Sequence, residues 1–273
     1  MSSPADVVSL ERFGSPTDDY DGARGKELAK LLGLPRVFLF REVSSTLDVA
    51  HELAAASCEP GTLVVADSQT AGRGRMGRHW RSEAGSGVWL SLVERPASHD
   101  PSSVVSIRVA LDLAAALDPF ADSPVCIKWP NDLYLPNGKL AGVLLEARWR
   151  APRLDWIAVG VGVNVSLRPS NSTGFSAAGL RPGTNRVAVL RAVVPAIRRA
   201  VLAGGRLSSD ELATYQTRDV ARGKRVRAPA AGTVTGLSAD GALLIETATG
   251  RAACRGGSLV LEEVDDSLGG EHR

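Results

Sequence analysis

The chain has 273 residues, of which 44% are hydrophobic and 23% charged, so it is long enough for one large globular domain or a large and a small one. The net charge of only +2 argues against a general nucleic-acid-binding surface. The three cysteines lack metal-ligand spacing, no run approaches about 18 apolar residues, and no signal-peptide pattern is present. We therefore expect a cytoplasmic protein that does not cross a membrane.

The first half of the chain predicts alternating strands and helices. Residues 1–23 are polar, and we expect them to be loose. A short helix follows over 24–33 and ends at a glycine. A strand at 36–43 precedes a helix that begins behind the serines and threonine at 44–46. Further strands are predicted at 61–69 and 87–94, and a helix at 102–117.

The second half of the chain predicts more strands and helices, and then a change to short strand-like segments. Strands are expected at 125–129, 139–148 and 155–165, and helices at 186–204 and 208–218, the last capped by Ser209. Short alternating segments joined by glycine turns follow residue 221, and Asp240-Gly241 is a hairpin signal. We thus divide the chain into a main domain (24–220), a small all-β domain (221–264) and a disordered tail (265–273).

The most unusual stretch is QTAGRGRMGRHW at residues 69–80, called the arginine loop below. Its glycines match G-x-G-x-x-G, but no helical pattern follows, so a dinucleotide-binding turn is disfavoured. The later NGKLAG lacks the leading glycine and the Ser or Thr of a P-loop. Guanidinium groups on a glycine-rich backbone suit phosphate or carboxylate oxygens, so we predict an anion-binding loop. A solvated basic loop is the alternative.

A second cluster is KWPND at residues 128–132. Pro130 makes a rigid corner that presents Asn131 beside Asp132, a pair that suits Mg²⁺ and phosphate, although a simple Asx-turn is the alternative. Lys139 follows a PNG turn and can point back at this corner, where its charge would suit the oxygen between an acyl group and a phosphate. The alternative for Lys139 is an ordinary solvated lysine. Asn164 lies in GVGVNV (160–165), a glycine-interrupted strand of the kind that approaches a ligand closely.

Together with SST at 44–46 and GKLAGVLLE at 138–146, these motifs resemble those of the biotin–protein ligase family in order and spacing, over about residues 36–262. The resemblance implies an α/β catalytic domain similar to class II synthetases, with a mixed sheet and flanking helices, followed by a small SH3-like β-barrel domain. It also implies an AMP-forming ligase. Such an enzyme condenses biotin with MgATP to biotinyl-5′-adenylate and passes the biotinyl group to a lysine of a biotin carboxyl carrier domain in a biotin-dependent carboxylase.

The resemblance also assigns roles to individual residues. Lys139 and Arg75 would be catalytic, and Asp132 would hold the metal. The residues expected to contact biotin are Ser45, Thr46, Gln69, Gly72, Arg73, Arg75, Lys139 and Gly142. Those expected to contact ATP or the adenylate are Arg75, Arg78, Trp80, Asn131, Asp132 and Asn164.

Two departures from the family pattern bear on function. Only about 35 residues precede the core, too few for the winged helix with which many members bind DNA, so we expect a monofunctional ligase without a nucleic-acid partner. Met76 stands where a further basic residue is common. Two alternatives remain: a lipoate or octanoate ligase, whose relatives lack GRGRMGRHW, and a regulator that senses biotin without ligating it.

Overall fold

A computed structural model describes residues 9–96, 102–150, 153–166 and 177–262. The strands in chain order are β1 (Gly14–Thr17), β2 (Asp19–Tyr20), β3 (Ala23–Arg24), β4 (Val37–Val43), β5 (Thr62–Gln69), β6 (Gly87–Glu94), β7 (Cys126–Lys128), β8 (Asp132–Leu135), β9 (Gly138–Arg150), β10 (Arg153–Asn164), β11 (Arg225–Ala228), β12 (Gly232–Leu237), β13 (Leu243–Thr247), β14 (Gly250–Cys254) and β15 (Val260–Leu261). The helices are α1 (Gly25–Leu32), α2 (Thr46–Ala55), α3 (Ser102–Leu117), α4 (Arg186–Leu202) and α5 (Ser209–Arg218).

Eight strands form one mixed sheet in the order β1-β4-β5-β6-β10-β9-β8-β7. The β4–β5 pair is parallel and the other neighbours are antiparallel. Successive side chains of a strand point to opposite faces, and both faces are covered here. In β4, the neighbouring residues Leu39 and Phe40 pack into two different cores, one on each face of the sheet. These consecutive residues of the strand are therefore both apolar, because neither face is exposed to solvent there.

The helices are divided between the two faces of this sheet. The larger core collects the buried sides of α1, α3, α4 and α5, and the smaller core collects that of α2. Helix α2 thus lies on the face opposite α1, α3, α4 and α5, where it contacts β5, β6, β10 and the 3₁₀ turn over Leu10–Phe13. This arrangement leaves room beside the N-terminus of α2 for a pocket. The predicted mixed sheet with flanking helices is confirmed.

The C-terminal residues form a separate five-stranded antiparallel sheet in the order β14-β13-β12-β11-β15, consistent with an SH3-like domain. The predicted Asp240-Gly241 turn joins β12 to β13, and Gly241 has the positive φ of 78° that such a turn favours. The connections that flank the two sheets are in contact: buried Trp129, between β7 and β8, donates its indole N–H to the carbonyl oxygen of Gly241, between β12 and β13, at 3.3 Å.

The expectation that residues 1–23 are loose is wrong for the part that the structure describes. A 3₁₀ turn (Leu10–Phe13) leads into β1, which pairs antiparallel with the outer edge of β4. The β2–β3 hairpin follows, and its Tyr20 is only 3% exposed. Arg186 at the start of α4 binds the carboxylate of Asp21 with 2.9 Å between Nε and Oδ2. A free strand edge exposes unpaired backbone groups, and β1 satisfies them.

A smaller correction concerns α5. Its N-cap is Ser208, not Ser209: the Ser208 hydroxyl accepts the backbone N–H of Glu211 at 3.1 Å, and the Glu211 carboxylate accepts the backbone N–H of Ser208 at 2.7 Å. This reciprocal pair is a capping box, and its acidic member three residues downstream is the signal for the cap. The predicted disordered tail lies outside the described residues.

Candidate functional site

A pocket of about 230 Å³ lies over β9 and β10, beside the N-terminus of α2 and beneath the arginine loop. It brings together residues that the sequence places far apart. Of the predicted site residues, those that line the pocket are Ser45, Thr46, Gln69, Arg73, Arg75, Arg78, Trp80, Asn131, Asp132, Lys139 and Gly142. Gly72 and Asn164 do not line it.

Glycines form the floor of the pocket. Gly142 of β9 pairs with Gly162 of β10, and Gly160 lies two residues away on the same face. A β-carbon at Gly142 would lie 2.9 Å from the Trp80 ring, and one at Gly162 would overlap the indole nitrogen of Trp80. A β-carbon at Gly160 would lie 2.9 Å from the Leu47 side chain. The missing side chains therefore let the indole of Trp80 lie directly on the sheet.

The arginine loop is a short hairpin across the pocket. The Gly74 N–H donates to the Arg78 carbonyl at 2.8 Å, and the Trp80 N–H donates to the Gly72 carbonyl at 2.8 Å. A β-carbon at Gly72 would overlap the carbonyl oxygen of Trp80. Gly72 therefore allows the two arms of the hairpin to approach, although it does not line the pocket. Met76 lies at the tip and is 75% exposed.

The corner formed by KWPND is fixed by its asparagine. Asn131 is buried; its Nδ2 donates to the Val143 carbonyl at 2.5 Å, and its Oδ1 accepts from Arg75 at 3.2 Å. One amide thus joins this corner both to β9 and to the arginine loop. Burial lowers the pKa of Arg75, with nearby Asp132 acting in the opposite direction.

Lys139 points back at this corner, in agreement with the sequence-based expectation. Its ammonium lies 2.8 Å from the Asp132 carboxylate and 5.0 Å from the centre of a Trp80 ring. Asn164 donates its side-chain N–H to the Lys139 carbonyl at 3.1 Å, so it fixes the backbone that carries the lysine. No cluster of three or more His, Cys, Asp or Glu side chains suitable for a metal occurs within the described ranges. A metal here would need phosphate oxygens as further ligands.

A hydrogen-bonded chain of polar side chains passes the end of the pocket near α2, where Thr46 and Gln69 line the pocket. Ser91 donates to Thr46 at 2.8 Å, Thr46 donates to Gln69 Oε1 at 3.1 Å, and Gln69 Nε2 donates to Ser82 at 2.8 Å. The Ser45 hydroxyl is buried and has no hydrogen-bond partner among the described residues. Since a buried unsatisfied hydroxyl costs free energy, Ser45 is available to a ligand, whereas Thr46 and Gln69 are already partnered.

Lys128 and Tyr134 also line the pocket, although neither was among the predicted site residues. Lys128 pairs with Asp132 across the β7–β8 hairpin, and its ammonium lies 5.7 Å from the Tyr134 ring centre. Burial lowers the pKa of Lys128, and the Asp132 charge opposes this shift. The signal for Lys128 is the strand–corner–strand pattern of CIKWPNDLYL, which makes residues 128 and 132 cross-strand neighbours.

The pocket is strongly cationic. Its arginine and lysine side chains are Arg73, Arg75, Arg78, Lys128 and Lys139. Arg73 and Lys139 are already paired with carboxylates. In the part of the chain that the structure describes, the other three have no carboxylate within ion-pair distance. Three uncompensated cations around one apolar-floored pocket suit a ligand that carries several negative charges.

Comparisons with known proteins agree with this geometry. Residues 39–164 match the model of the biotin/lipoate A/B protein ligase family. The biotin–[acetyl-CoA-carboxylase] ligase of Mycobacterium tuberculosis is 30% identical over 211 residues, which cover 72% of this chain and 76% of that protein. The chain belongs to the biotin/lipoate A/B protein ligase family.

Two further relatives place the chain within this family. The bifunctional ligase/repressor BirA of Bacillus subtilis is 40% identical over 130 residues, which make up 47% of this chain but only 40% of BirA. The chain thus matches less than half the length of that curated relative. A structure of the Aquifex aeolicus biotin protein ligase in complex with biotin and ATP superposes with a TM-score of 0.71 at 28% identity, over 84% of this chain and 99% of that one.

Proposed function

We propose that this family member is a biotin–protein ligase that activates biotin with ATP and transfers the biotinyl group to a lysine of a carrier domain. The observation that carries the proposal is the pocket itself. Among the described residues, it combines an apolar floor, one buried hydroxyl without a hydrogen-bond partner and three cations without carboxylate partners. The structure of the Aquifex aeolicus biotin protein ligase in complex with biotin and ATP supports the same pairing of ligands.

In the first step, a biotin carboxylate oxygen attacks the α-phosphorus of ATP. A new O–P bond forms, the bond to the β-phosphate bridging oxygen breaks, and pyrophosphate leaves. No protein nucleophile is needed, so catalysis consists of positioning and electrostatic stabilisation. Lys139 stabilises charge at the acyl–phosphate junction, and Arg75, Arg78 and Lys128 bind the phosphates. The Ser45 hydroxyl forms a hydrogen bond, as donor or as acceptor, with the polar end of biotin.

Magnesium belongs to the proposal as part of the MgATP substrate. One carboxylate together with substrate phosphates is the usual protein environment of Mg²⁺, and Asp132 is the carboxylate that lines the pocket. Bound there, the ion would neutralise charge that develops on the phosphates. The Asp132 carboxylate also forms an ion pair with the Lys139 ammonium and so holds it in place.

In the second step, the amine of the acceptor lysine attacks the acyl carbon of biotinyl-adenylate. An amide bond forms, the C–O bond to phosphate breaks, AMP leaves, and the amine nitrogen loses one proton to solvent. We propose the biotin carboxyl carrier domain of a carboxylase as the acceptor, since a relative is named for acetyl-CoA carboxylase. None of the helices in the described ranges is long and apolar enough to cross a bilayer. Cytoplasmic localisation and the lack of a nucleic-acid partner stay predictions.

The proposal is tested by transfer to a purified carrier domain. The chain is incubated with MgATP, the carrier and one acid at a time: biotin, lipoate or octanoate. We expect the carrier mass to rise only in the reaction that contains biotin, and to rise by the mass of one biotinyl group. Transfer of lipoate or octanoate instead would identify the related ligase. Binding of biotin without transfer and without pyrophosphate release would favour a biotin-sensing regulator.

A further inference from the structure

The side chain of Arg73 differs from those of its neighbours in the arginine loop. Its guanidinium lies between two carboxylates, 3.0 Å from Asp48 of α2 and 3.4 Å from Glu146 of β9. Arg75 donates to Asn131, and Arg78 to the hydroxyl of Ser258 at 3.1 Å. The charge of Arg73 is therefore balanced by carboxylates within ion-pair distance, whereas Arg75 and Arg78 have no such partner among the described residues and can balance a ligand.

The Glu146 carboxylate is held in place by His51, which is itself held by Trp156. The indole N–H of Trp156 donates to Nδ1 of His51 at 3.0 Å, so Nδ1 is the acceptor and Nε2 carries the ring hydrogen. Nε2 then donates to Glu146 at 2.7 Å. This hydrogen bond, with the charge of Arg73 as a further cause, lowers the pKa of Glu146. The carboxylate is thus ionised and correctly oriented for Arg73 at neutral pH.

We propose that Glu146, oriented by His51, and Asp48 together anchor the arginine loop through Arg73, which makes Arg73 a positioning residue instead of a biotin contact. The inference rests on the proposed function, because the loop covers the pocket in which biotinyl-adenylate would form. Two structural elements, α2 and β9, thereby hold one arm of the hairpin. The other arm, with Arg78 and Trp80, stays available to the ligand.

The test compares Glu146→Gln, Arg73→Met and the double variant with Glu52→Gln as a matched control. Glu52 is also on α2 and also pairs with an arginine, Arg12, but does not line the pocket. Two quantities are measured: trypsin cleavage after Arg75 and Arg78 in the ligand-free chain, located by mass spectrometry, and the half-life of enzyme-bound biotinyl-adenylate. Thermal unfolding of each variant shows whether it is folded.

We expect each single variant to speed both loop cleavage and adenylate release by roughly threefold to tenfold, the range for a partly exposed ion-pair network. The double variant should be no worse than the worse single one, because both changes remove the same anchor. The KM for biotin should rise while kcat for adenylate formation stays within about twofold. The control should match the unmodified chain.

Additive effects in the double variant, or unchanged cleavage in both single variants, would overturn the anchor. If Glu146→Gln does not fold, Asp48→Asn removes the more exposed half of the same anchor and is judged by the same criteria. Failure of the proposed function is a separate result: the unmodified chain would then form no biotinyl-adenylate, while loop cleavage in the ligand-free chain would still report on the anchor.

Discussion

Lys139 is the residue whose charge the proposed chemistry needs most. It lies at the junction of the corner and the glycine floor, where the carboxylate of Asp132 and the backbone contact of Asn164 fix its position. Lys139→Ala should slow adenylate formation by roughly 10²–10³-fold, the usual loss for one preorganised donor. The rate of biotin-dependent pyrophosphate release in a single turnover measures this directly.

The control for Lys139 is Lys26→Ala, because Lys26 is exposed on α1 and does not line the pocket. Both variants should unfold close to the temperature of the unmodified chain, since Lys139 is on the pocket surface and its removal leaves no cavity in the core. Adenylation by Lys139→Ala at a rate similar to that of Lys26→Ala would remove the lysine from the mechanism.

The glycine floor gives a second prediction at the residue scale. Gly162→Ala should push the Trp80 indole off the sheet, because the added methyl group would overlap its ring nitrogen. We expect a higher KM for biotin and a change in tryptophan fluorescence. Gly256→Ala is the matched control, since a β-carbon there meets nothing within 4 Å. Unchanged fluorescence and KM in Gly162→Ala would show that the indole does not rest on this strand.

The residues of the site were predictable from sequence to the extent that their motifs are local. The arginine loop, KWPND and Lys139 are recognisable as short patterns, and the structure brings them to one pocket. Their partners were not predictable in this way. Glu146 and Asp48 are separated by 98 positions of sequence, and only the sheet and α2 bring both to Arg73. Asn164 was expected to face a ligand, but its side chain donates a hydrogen bond to the carbonyl oxygen of Lys139.

Among the structural elements, the arginine loop is the one expected to respond to ligands. Within the described residues, Arg75 and Arg78 bond only to the neutral side chains of Asn131 and Ser258 and to backbone, so bound biotin and MgATP would supply their first anionic partners. We expect both substrates together to slow trypsin cleavage after Arg75 and Arg78. Biotin or MgATP alone should protect less, because neither fills both ends of the pocket. Equal cleavage with and without both substrates would show that the loop does not close over them.

Long elements were predicted well because their own apolar periodicity determines them. The strands β5 and β6 and the helices α2 and α3 occur where the sequence places them. Strand β1 was missed, since its sequence, GSPT, has no apolar alternation and becomes a strand only through pairing with β4. The pairing partner of such a short segment is a long-range property that a local pattern does not contain.

At the scale of the whole molecule, the N-terminal segment joins elements that are far apart in sequence. Tyr20 is buried in the larger core, and Asp21 binds Arg186 of α4. The carbonyl of Phe13 accepts the N–H of Ser44, next to the pocket residue Ser45. Deleting residues 1–23 should therefore lower Tm by roughly 4 °C or more, as expected for the loss of one large buried side chain and its contacts.

The control is deletion of residues 1–8 alone, which removes none of these contacts. We expect that shorter chain to keep its Tm and its adenylation rate, whereas the longer deletion should also weaken biotin binding through Ser44 and Ser45. Calorimetry and biotin titration measure the two effects. An unchanged Tm after deletion of residues 1–23 would mean that β1 and the β2–β3 hairpin contribute nothing to the stability of the sheet.

The pocket as a whole is proposed to convert biotin and ATP into a retained acyl-adenylate. The most direct measurement omits the carrier: the purified chain is mixed with biotin and MgATP labelled at the α-phosphate, and bound nucleotide and free pyrophosphate are quantified. We predict biotin-dependent release of one pyrophosphate per chain and an equal amount of labelled biotinyl-adenylate that remains bound through gel filtration. Release of ADP and phosphate, or pyrophosphate formation that does not depend on biotin, would contradict the account.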